Sequence, residues 1–393
     1  MALAKRDDEK YGQEDQAYFS YYAMLTHQAQ MLQDGVRTTA YQTAILSHPD
    51  AFADKIVMDV GAGNGILSMF SLQAGARAAF AVEASAMAHC LRNMVQSSKG
   101  GPQAPNSWAN GRLAVVHSLM EQVTDDTLHE AAKADGVSLP TGEVKVDTLV
   151  SECLGVLLVH ERMCETFLAA RDRFLRPGGS MFPHAGTLVF GLLQDPKLWG
   201  EVRARGEWWN AENFYGVNLT PFKEMAYKEA FASPVVGCFT PSSVIGSTVT
   251  PTGSYTCDDH ALCTYQVDFE RITMDELRDF VVPVSWDVDQ AVVAHGLGAW
   301  FDLSFGKVGD ASFGMTTSPF APATHWAQVR LLFDEPLALN RGQRVVGTLH
   351  FAVNDHRSYD IDADIRVPFG DNTVARRTAH WKLDRQTYSW DAM

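Results

Sequence analysis

The chain has 393 residues, 46% of them hydrophobic, too many for one typical core and enough for two domains. Its 32 Lys and Arg against 47 Asp and Glu leave a formal charge of −15, which speaks against nonspecific nucleic-acid binding and suits attraction of basic protein segments. Six scattered cysteines without a Cys-x-x-Cys pair, a charged start, and no apolar run near the ~20 residues of a membrane helix point away from zinc, secretion and membrane insertion; no metal is expected, and free thiols in a reducing compartment are.

Residues 1–14 are polar and expected to be disordered. Tyr18, Tyr21, Tyr22, Leu25, Ala29 and Leu32 then recur at three- and four-residue steps, which predicts an amphipathic helix. Residues 55–67 read as a strand and a glycine-rich turn, and the helix from Ile66 to Ala74 ends at Gly75. Ala79–Val82 is a second strand ending at Glu83. Residues 97–111 are a Gly-, Pro-, Ser- and Asn-rich surface loop, and 124–143 a partly helical insertion. Val146–Val150 is a buried-type strand that delivers Glu152 at its carboxyl end. Arg176-Pro177-Gly178-Gly179 closes the following helix, and Met181-Phe182-Pro183 marks the expected domain boundary. Beyond about 186, β-branched and polar residues alternate between turns. Tyr265–Phe269, Val292–Phe305, Gln328–Phe333, Gly347–Val353 and Asp360–Arg366 read as strands of an antiparallel barrel. Within this half, 197–217 carries Trp199, Trp208, Trp209, Phe214 and Tyr215. A satellite core would absorb such aromatics, but five in a non-strand excursion favour an interface.

Two motifs carry chemistry. Ser151-Glu152 and His160-Glu161 flank a mainly apolar stretch with one glycine, Gly155. A loop reversing there would bring both carboxylates to one pocket. Two like charges are unfavourable together unless a cation arrives between them. A guanidinium fits, because its planar fork matches carboxylates bidentately. For the loop alone, the plainer reading is one exposed Glu and one helix-start Glu. The second motif, Val57-Met58-Asp59-Val60-Gly61-Ala62-Gly63-Asn64-Gly65, overturns it. Strand, glycine turn, helix, strand and Glu83 follow in the order of a nucleoside-binding half, with Glu83 placed for ribose hydroxyls. The sixth-position glycine of the dinucleotide fingerprint is missing, which argues against a nicotinamide oxidoreductase.

The glycine turn resembles that of class I, S-adenosylmethionine-dependent methyltransferases. With Tyr18-Phe19-Ser20-Tyr21-Tyr22, Asp34-Gly35-Val36-Arg37-Thr38, Ala81-Val82-Glu83-Ala84-Ser85, the two acids and Thr324-His325-Trp326, the chain resembles the protein arginine methyltransferases from about Tyr18 to the last strands. Among these it is similar to the asymmetric-dimethylating, type I enzymes. Gln28, where many members have His, is similar to the coactivator-associated subgroup, and Thr317-Ser318-Pro319-Phe320 to a nuclear type I member. Cys153 and Val156 depart from the family's usual Trp or Pro and its Tyr.

The resemblance implies an α/β fold: a Rossmann-like domain with its N-terminal helix over 15–182, then a β-barrel domain over 183–393 with a helical dimerisation arm at about 190–222 and a cis peptide before Pro183. It implies methyl transfer from S-adenosylmethionine to arginine guanidinium, leaving S-adenosylhomocysteine and giving mono- and asymmetric dimethylarginine. Tyr18, Tyr22, Met31, Arg37, Asp59, Gly61, Gly63, Gly65, Glu83, Met120 and Glu121 would bind the cofactor, with Arg37 on its carboxylate and Met120-Glu121 beside the adenine. Glu152 and Glu161 would hold the guanidinium, with Met163, Trp326 and Gln28 beside it. Met31 and Met163 would shape the slot. His325 would pair with Asp34, chiefly as a tether and secondarily as a proton acceptor. The implied partners are arginine-rich proteins such as histones or Gly-Arg-rich RNA-binding proteins and a second copy of the chain, in the cytoplasm, the nucleus or both. Cys153 and Val156 also motivate an alternative, a catalytically weak paralogue that regulates an active one; intact Arg37, Gly61, Gly63, Gly65, Glu152 and Glu161 oppose it.

Overall fold

A computed structural model of the chain describes residues 17–306, 314–369 and 372–389. The expected disorder of 1–14 lies outside these residues. The first half is built on a parallel sheet of β1 (Ile56–Val60), β2 (Ala78–Glu83), β3 (Leu113–His117), β4 (Val146–Ser151) and β5 (Leu175–Phe182), in the order β3-β2-β1-β4-β5. β1, β2 and β4 are buried along their whole length, as a sheet covered on both faces requires. The chain winds from β1 to β3 on one side and then crosses to β4 on the other. Beside such a reversal the strand ends open into a crevice. Gly61, Ser118 and Glu152 directly follow β1, β3 and β4, and Glu83 ends β2, so all four sit at that rim.

Two expectations change here. The N-terminal helix is broken: 17–22 is helical, and α1 (Leu25–Gln33) begins after a turn. The Gln28 amide donates to the Tyr22 carbonyl at 2.8 Å and caps the break. Tyr21 and Leu25 stay exposed, and α1 buries only Gln28 and Met31. Arg176–Gly179 is not a terminator after the helix α6 (Met163–Phe174) but part of β5. Pairing jumps from Val146↔Leu175 to Thr148↔Ser180, so these residues bulge out, and Arg176 pairs with Asp147 at 2.6 Å. The longer helices between are α2 (Gly35–Leu46), α3 (Ile66–Gln73), α4 (Met87–Ser98) and α5 (Asp125–Asp135). Helix α4 runs into the expected 97–111 loop, and α5 occupies the expected insertion.

The peptide between Phe182 and Pro183 is cis. Beyond it two sheets face each other. One holds β6 (Ala185–Leu193), β7 (Leu262–Asp268), β9 (Val292–Ser304) and β10 (Val329–Leu339); the other holds β8 (Asp279–Asp287), β11 (Arg344–Val353), β12 (Tyr359–Phe369) and β13 (Asn372–Lys382). Pairing among these strands is antiparallel. The Trp286 indole donates across the gap to the Phe190 carbonyl at 3.1 Å, and the Phe190 and Phe351 rings meet across it with centroids 6.1 Å apart. Strands β6, β8 and β13 lie outside the expected set, although β8 alternates exposed and buried residues strictly.

Between β6 and β7, α7 (Pro196–Glu207) and α8 (Lys223–Phe231) form a hairpin, with Gly206 against the Tyr227 ring. Trp199 belongs to a satellite core and donates to the Phe333 carbonyl at 2.8 Å. Trp208, Phe214 and Tyr215 are exposed, Tyr215 at 94%. The aromatic excursion therefore divides into a core anchor and a solvent-facing tip.

Candidate functional site

A cavity of about 250 Å³ opens at the sheet's rim, lined by the glycine turn, Glu83, the loop after β4, and the N-terminal segment. Gly63 has φ +53, and a Cβ there would meet the Gln28 amide oxygen at 3.0 Å; a larger residue would be strained and crowded. Glu83 joins two loops. One carboxylate oxygen accepts the Gly63 N–H at 2.7 Å and the other the Ser85 N–H at 2.6 Å.

Asp59 does not reach the cavity. Its carboxylate lies behind the turn and accepts the Ser68 backbone N–H at 2.8 Å and the Ser68 hydroxyl at 2.7 Å. Burial outweighs those bonds and pushes its carboxyl up to about 7. Its place is that of a support for α3. Gly65 also stands back from the cavity; it precedes α3 at φ +81 and packs against Leu91.

Helix α2 delivers Arg37. Asp34 starts the helix by accepting the Arg37 N–H at 3.0 Å. One turn beyond Arg37, Tyr41 donates to the Ser151 carbonyl at 3.0 Å and fixes the helix on β4. Arg37 then donates to a single oxygen of Glu152, from Nε at 3.2 Å and from Nη2 at 2.7 Å. The cation that the paired acids demand is thus supplied in part by the chain itself. The resemblance assigned Arg37 to the cofactor carboxylate, whereas here it meets Glu152.

The loop from Glu152 to Glu161 does reverse on itself. Leu157, Leu158, Glu161 and Arg162 all have positive φ, a conformation costing about 1–3 kcal/mol per residue. Gly155 permits the fold, since a Cβ there would lie 2.0 Å from the His160 carbonyl oxygen. Beneath the loop, the Trp326 indole donates to the Leu154 carbonyl at 3.1 Å, and Trp326 is buried. Trp326 is therefore a prop for the loop and not a wall of the cavity.

Glu161 lines the same cavity as Glu152. It accepts the Tyr22 hydroxyl at 2.9 and 3.1 Å and the Tyr18 hydroxyl at 3.2 Å. Burial pushes its carboxyl up to about 7, reinforced by the Glu152 charge and opposed by the two tyrosines and Arg357. Burial likewise raises both phenols, with Glu161 adding to it. They remain neutral donors.

Met31, Met163, Gln28, Met120 and Glu121 all line the cavity. The Gln28 carbonyl oxygen accepts the Asn64 amide at 2.7 Å, and Glu121 accepts the Thr166 hydroxyl at 2.9 Å. Asp34 and His325 stand outside it. One Asp34 oxygen receives the His325 backbone N–H at 2.9 Å and lies 2.7 Å from its Nδ1. Burial pushes the Asp34 carboxyl up, but bonds from the His325 ring and from the Arg37 and His325 amides win and hold it at about 2. The pair ties the loop after β9 to α2.

Sequence reasoning missed Arg162, Glu165, Arg278 and Arg357 on the cavity wall. Glu165 accepts from Arg162 and, at 2.6 and 2.9 Å, from Arg278 of α9 (Met274–Arg278). Arg162 was findable as the neighbour of Glu161. Arg278 and Arg357 come from far along the chain and have no local signal.

The cavity can thus take a nucleoside against Glu83 and the glycine turn, and a planar cation between Glu152 and Glu161. A family model described as the arginine methyltransferase oligomerization subdomain matches residues 192–372. The chain is 35% identical over 345 residues to the probable histone-arginine methyltransferase 1.3 of Arabidopsis thaliana, covering 88% of this chain and 57% of that one. For that plant's probable histone-arginine methyltransferase 1.4 the identity is 35% over 386 residues, covering 97% and 65%. The chain therefore spans about three fifths of the length of these curated relatives. Among solved structures, it is similar to Arabidopsis thaliana protein arginine methyltransferase 10, with a TM-score of 0.73 and 26% identity over 93% of this chain and 100% of that one. It is also similar to a chain of the Trypanosoma brucei PRMT1 enzyme-prozyme heterotetrameric complex with AdoHcy, with a TM-score of 0.71 and 25% identity over 92% and 99%.

Proposed function

The chain belongs to the protein arginine methyltransferase family, and on that premise we propose that it methylates arginine guanidinium nitrogens of proteins with S-adenosylmethionine. The observation that carries the reading is the convergence of Glu152 and Glu161 on the cavity that also holds Glu83 and the glycine turn. Bound S-adenosylmethionine supplies an electrophilic methyl group and leaves as S-adenosylhomocysteine. Glu83 would hold its ribose, Met120 and Glu121 would flank the adenine, and Tyr18, Tyr22 and Met31 would cover it. Arg37 engages Glu152 through Nε and Nη2, so Nη1 is the group left for the cofactor's carboxylate.

Glu152 and Glu161 would grip the guanidinium, turn one terminal nitrogen toward the methyl group and draw positive charge away from it. This is catalysis by orientation and electrostatics. An arriving cation favours the ionised form of Glu161, so substrate completes the charge state that the clamp needs. Met163 would bound the slot. Asp34 holds His325 by its Nδ1, which supports tethering first and proton acceptance second.

The finer assignments are part of the same proposal. The product is asymmetric dimethylarginine, as in type I members. Substrates are arginine-rich proteins, histones first, since two of the relatives are named histone-arginine methyltransferases; Gly-Arg-rich RNA-binding proteins are the second class. The protein acts as a homodimer through the α7–α8 arm, in the nucleus or cytoplasm. Residues 15–182 form the cofactor domain and 183–393 the barrel domain. The test is transfer from labelled S-adenosylmethionine to histones and to a Gly-Arg-rich peptide, with hydrolysed products separated. Asymmetric dimethylarginine supports the whole reading. Symmetric or only monomethyl product sinks the type. Cofactor binding with no product shifts the reading to a regulatory subunit.

A further inference from the structure

Arg357 is a cation on the wall of a slot proposed to receive another cation, and nothing in the mechanism above uses it. It sits in the turn over 354–358 between β11 and β12 and has φ +48, in the sparse left-handed region. The turn is firmly built. The Asn354 N–H donates to the Ser358 carbonyl at 2.9 Å, and the Asn354 amide donates to Asp360 at 3.0 Å and Asp384 at 2.8 Å. It also meets the loop of the two acids, where Ser358 Oγ lies 2.8 Å from His160 Nδ1. From this base the Arg357 guanidinium extends over the face of Tyr18, 4.6 Å from the ring centroid, with Nη2 3.8 Å from the Met163 sulfur. The same Tyr18 donates to Glu161.

We propose that Arg357 is a positioning residue: the barrel turn uses its guanidinium to hold Tyr18 across the cavity, closing the N-terminal segment over the cofactor and aiming Glu161. The inference rests on the proposed function and adds to it a second tie between the barrel and the N-terminal segment, on the cavity side, where Asp34–His325 is the outer one. A cation over an aromatic face at this distance is attracted by the ring's negative face, more strongly when water is excluded. Arg357 also favours the ionised form of Glu161, in the direction that the clamp requires.

The test uses the full chain and S-adenosylhomocysteine, so no turnover is needed. Calorimetry of R357A should show affinity about 5- to 30-fold weaker, the range of a partly to fully desolvated cation–ring contact. Deuterium uptake over 17–22 should rise in step. Arg357→Lys, which keeps a cation over the ring, should recover most of the affinity, and Arg357→Gln should not. In a Tyr18→Ala background, R357A should add less than about twofold, because the contact is already gone. Affinity and uptake unchanged in R357A, equal recovery by Gln and Lys, or full additivity with Tyr18→Ala would each overturn the inference. A variant that loses cooperative unfolding is replaced by the Lys and Gln pair, whose difference decides alone. A parent chain that binds no S-adenosylhomocysteine overturns the proposed function along with this inference; a parent that binds, beside an unaffected R357A, overturns the inference only.

Discussion

Glu161→Gln separates charge from shape at the proposed clamp. Glutamine keeps an oxygen for the Tyr18 and Tyr22 hydroxyls but carries no charge. Burial, reinforced by Glu152, holds the Glu161 carboxyl at about 7 against an ordinary value of 4.5, while Tyr22, Tyr18 and Arg357 pull it down. The folded protein therefore keeps this proton to higher pH than the unfolded chain does. Stability from that difference is complete below about pH 4.5 and is lost as pH rises through 7. At about 1.36 kcal/mol per decade the full gap amounts to ~3 kcal/mol, and partial solvent access reduces it to roughly 1–2. Urea unfolding should accordingly find E161Q more stable than the parent by about 1–2 kcal/mol at pH 8 and equal to it within about 0.5 at pH 4.5. In parallel, affinity for S-adenosylhomocysteine should stay within about threefold, while turnover on histones falls by about 10²–10³, the cost of removing one aligned electrostatic contact. Unchanged turnover would remove the paired-carboxylate argument. An equal stability gain at both pH values would show that desolvation of the charge is not what E161Q relieves.

Three further outcomes follow from the geometry. Gly155→Ala puts a Cβ 2.0 Å from the His160 carbonyl oxygen, so the loop must open; turnover should fall at least about 100-fold with cofactor affinity retained, and normal turnover would refute the loop's role. Asp34→Ala removes a helix start and the His325 tie and should cost about 1–2 kcal/mol in urea unfolding at pH 7. Because the Asp34 carboxyl is held at about 2 against 3.8, that contribution is present above about pH 3.8 and lost as pH falls through 2; a loss equal at pH 2 and 7 would contradict it. Trp208→Ala with Tyr215→Ala trims the exposed arm tip. Sedimentation should show a monomer with thermal stability of the monomer fold within about 0.5 kcal/mol, and an unchanged dimer would move the interface elsewhere.

Much of the first half was legible because its signals are local. The glycine turn needs positive φ at Gly61, Gly63 and Gly65, and all three have it. The apolar runs of β1, β2 and β4 are what strands buried on both faces require. The barrel was less legible. The strand at Asp279–Asp287 lies outside the expected set although it alternates buried and exposed residues as clearly as any; Pro283 sits in its middle and is tolerated because the strand is at the edge of its sheet, paired only with β11 among the described strands. Arg176–Gly179 shows the converse: a Pro-Gly-Gly run with the composition of a helix terminator is absorbed as a bulge in β5.

By itself the sequence determined which residues bear charge, which turns demand glycine, and that two carboxylates flank a loop short enough to reverse. Those are properties of a few neighbouring residues and of their own backbone angles. Tertiary structure alone decided that Arg37 meets Glu152, that Tyr18 and Tyr22 reach Glu161 from 143 and 139 residues away, that Asp59 and Trp326 stand behind the cavity, and that Arg357 crosses to Tyr18. The partner a buried charge takes depends on which groups lose water together when distant segments pack, and that is settled only when the chain has closed around the cavity.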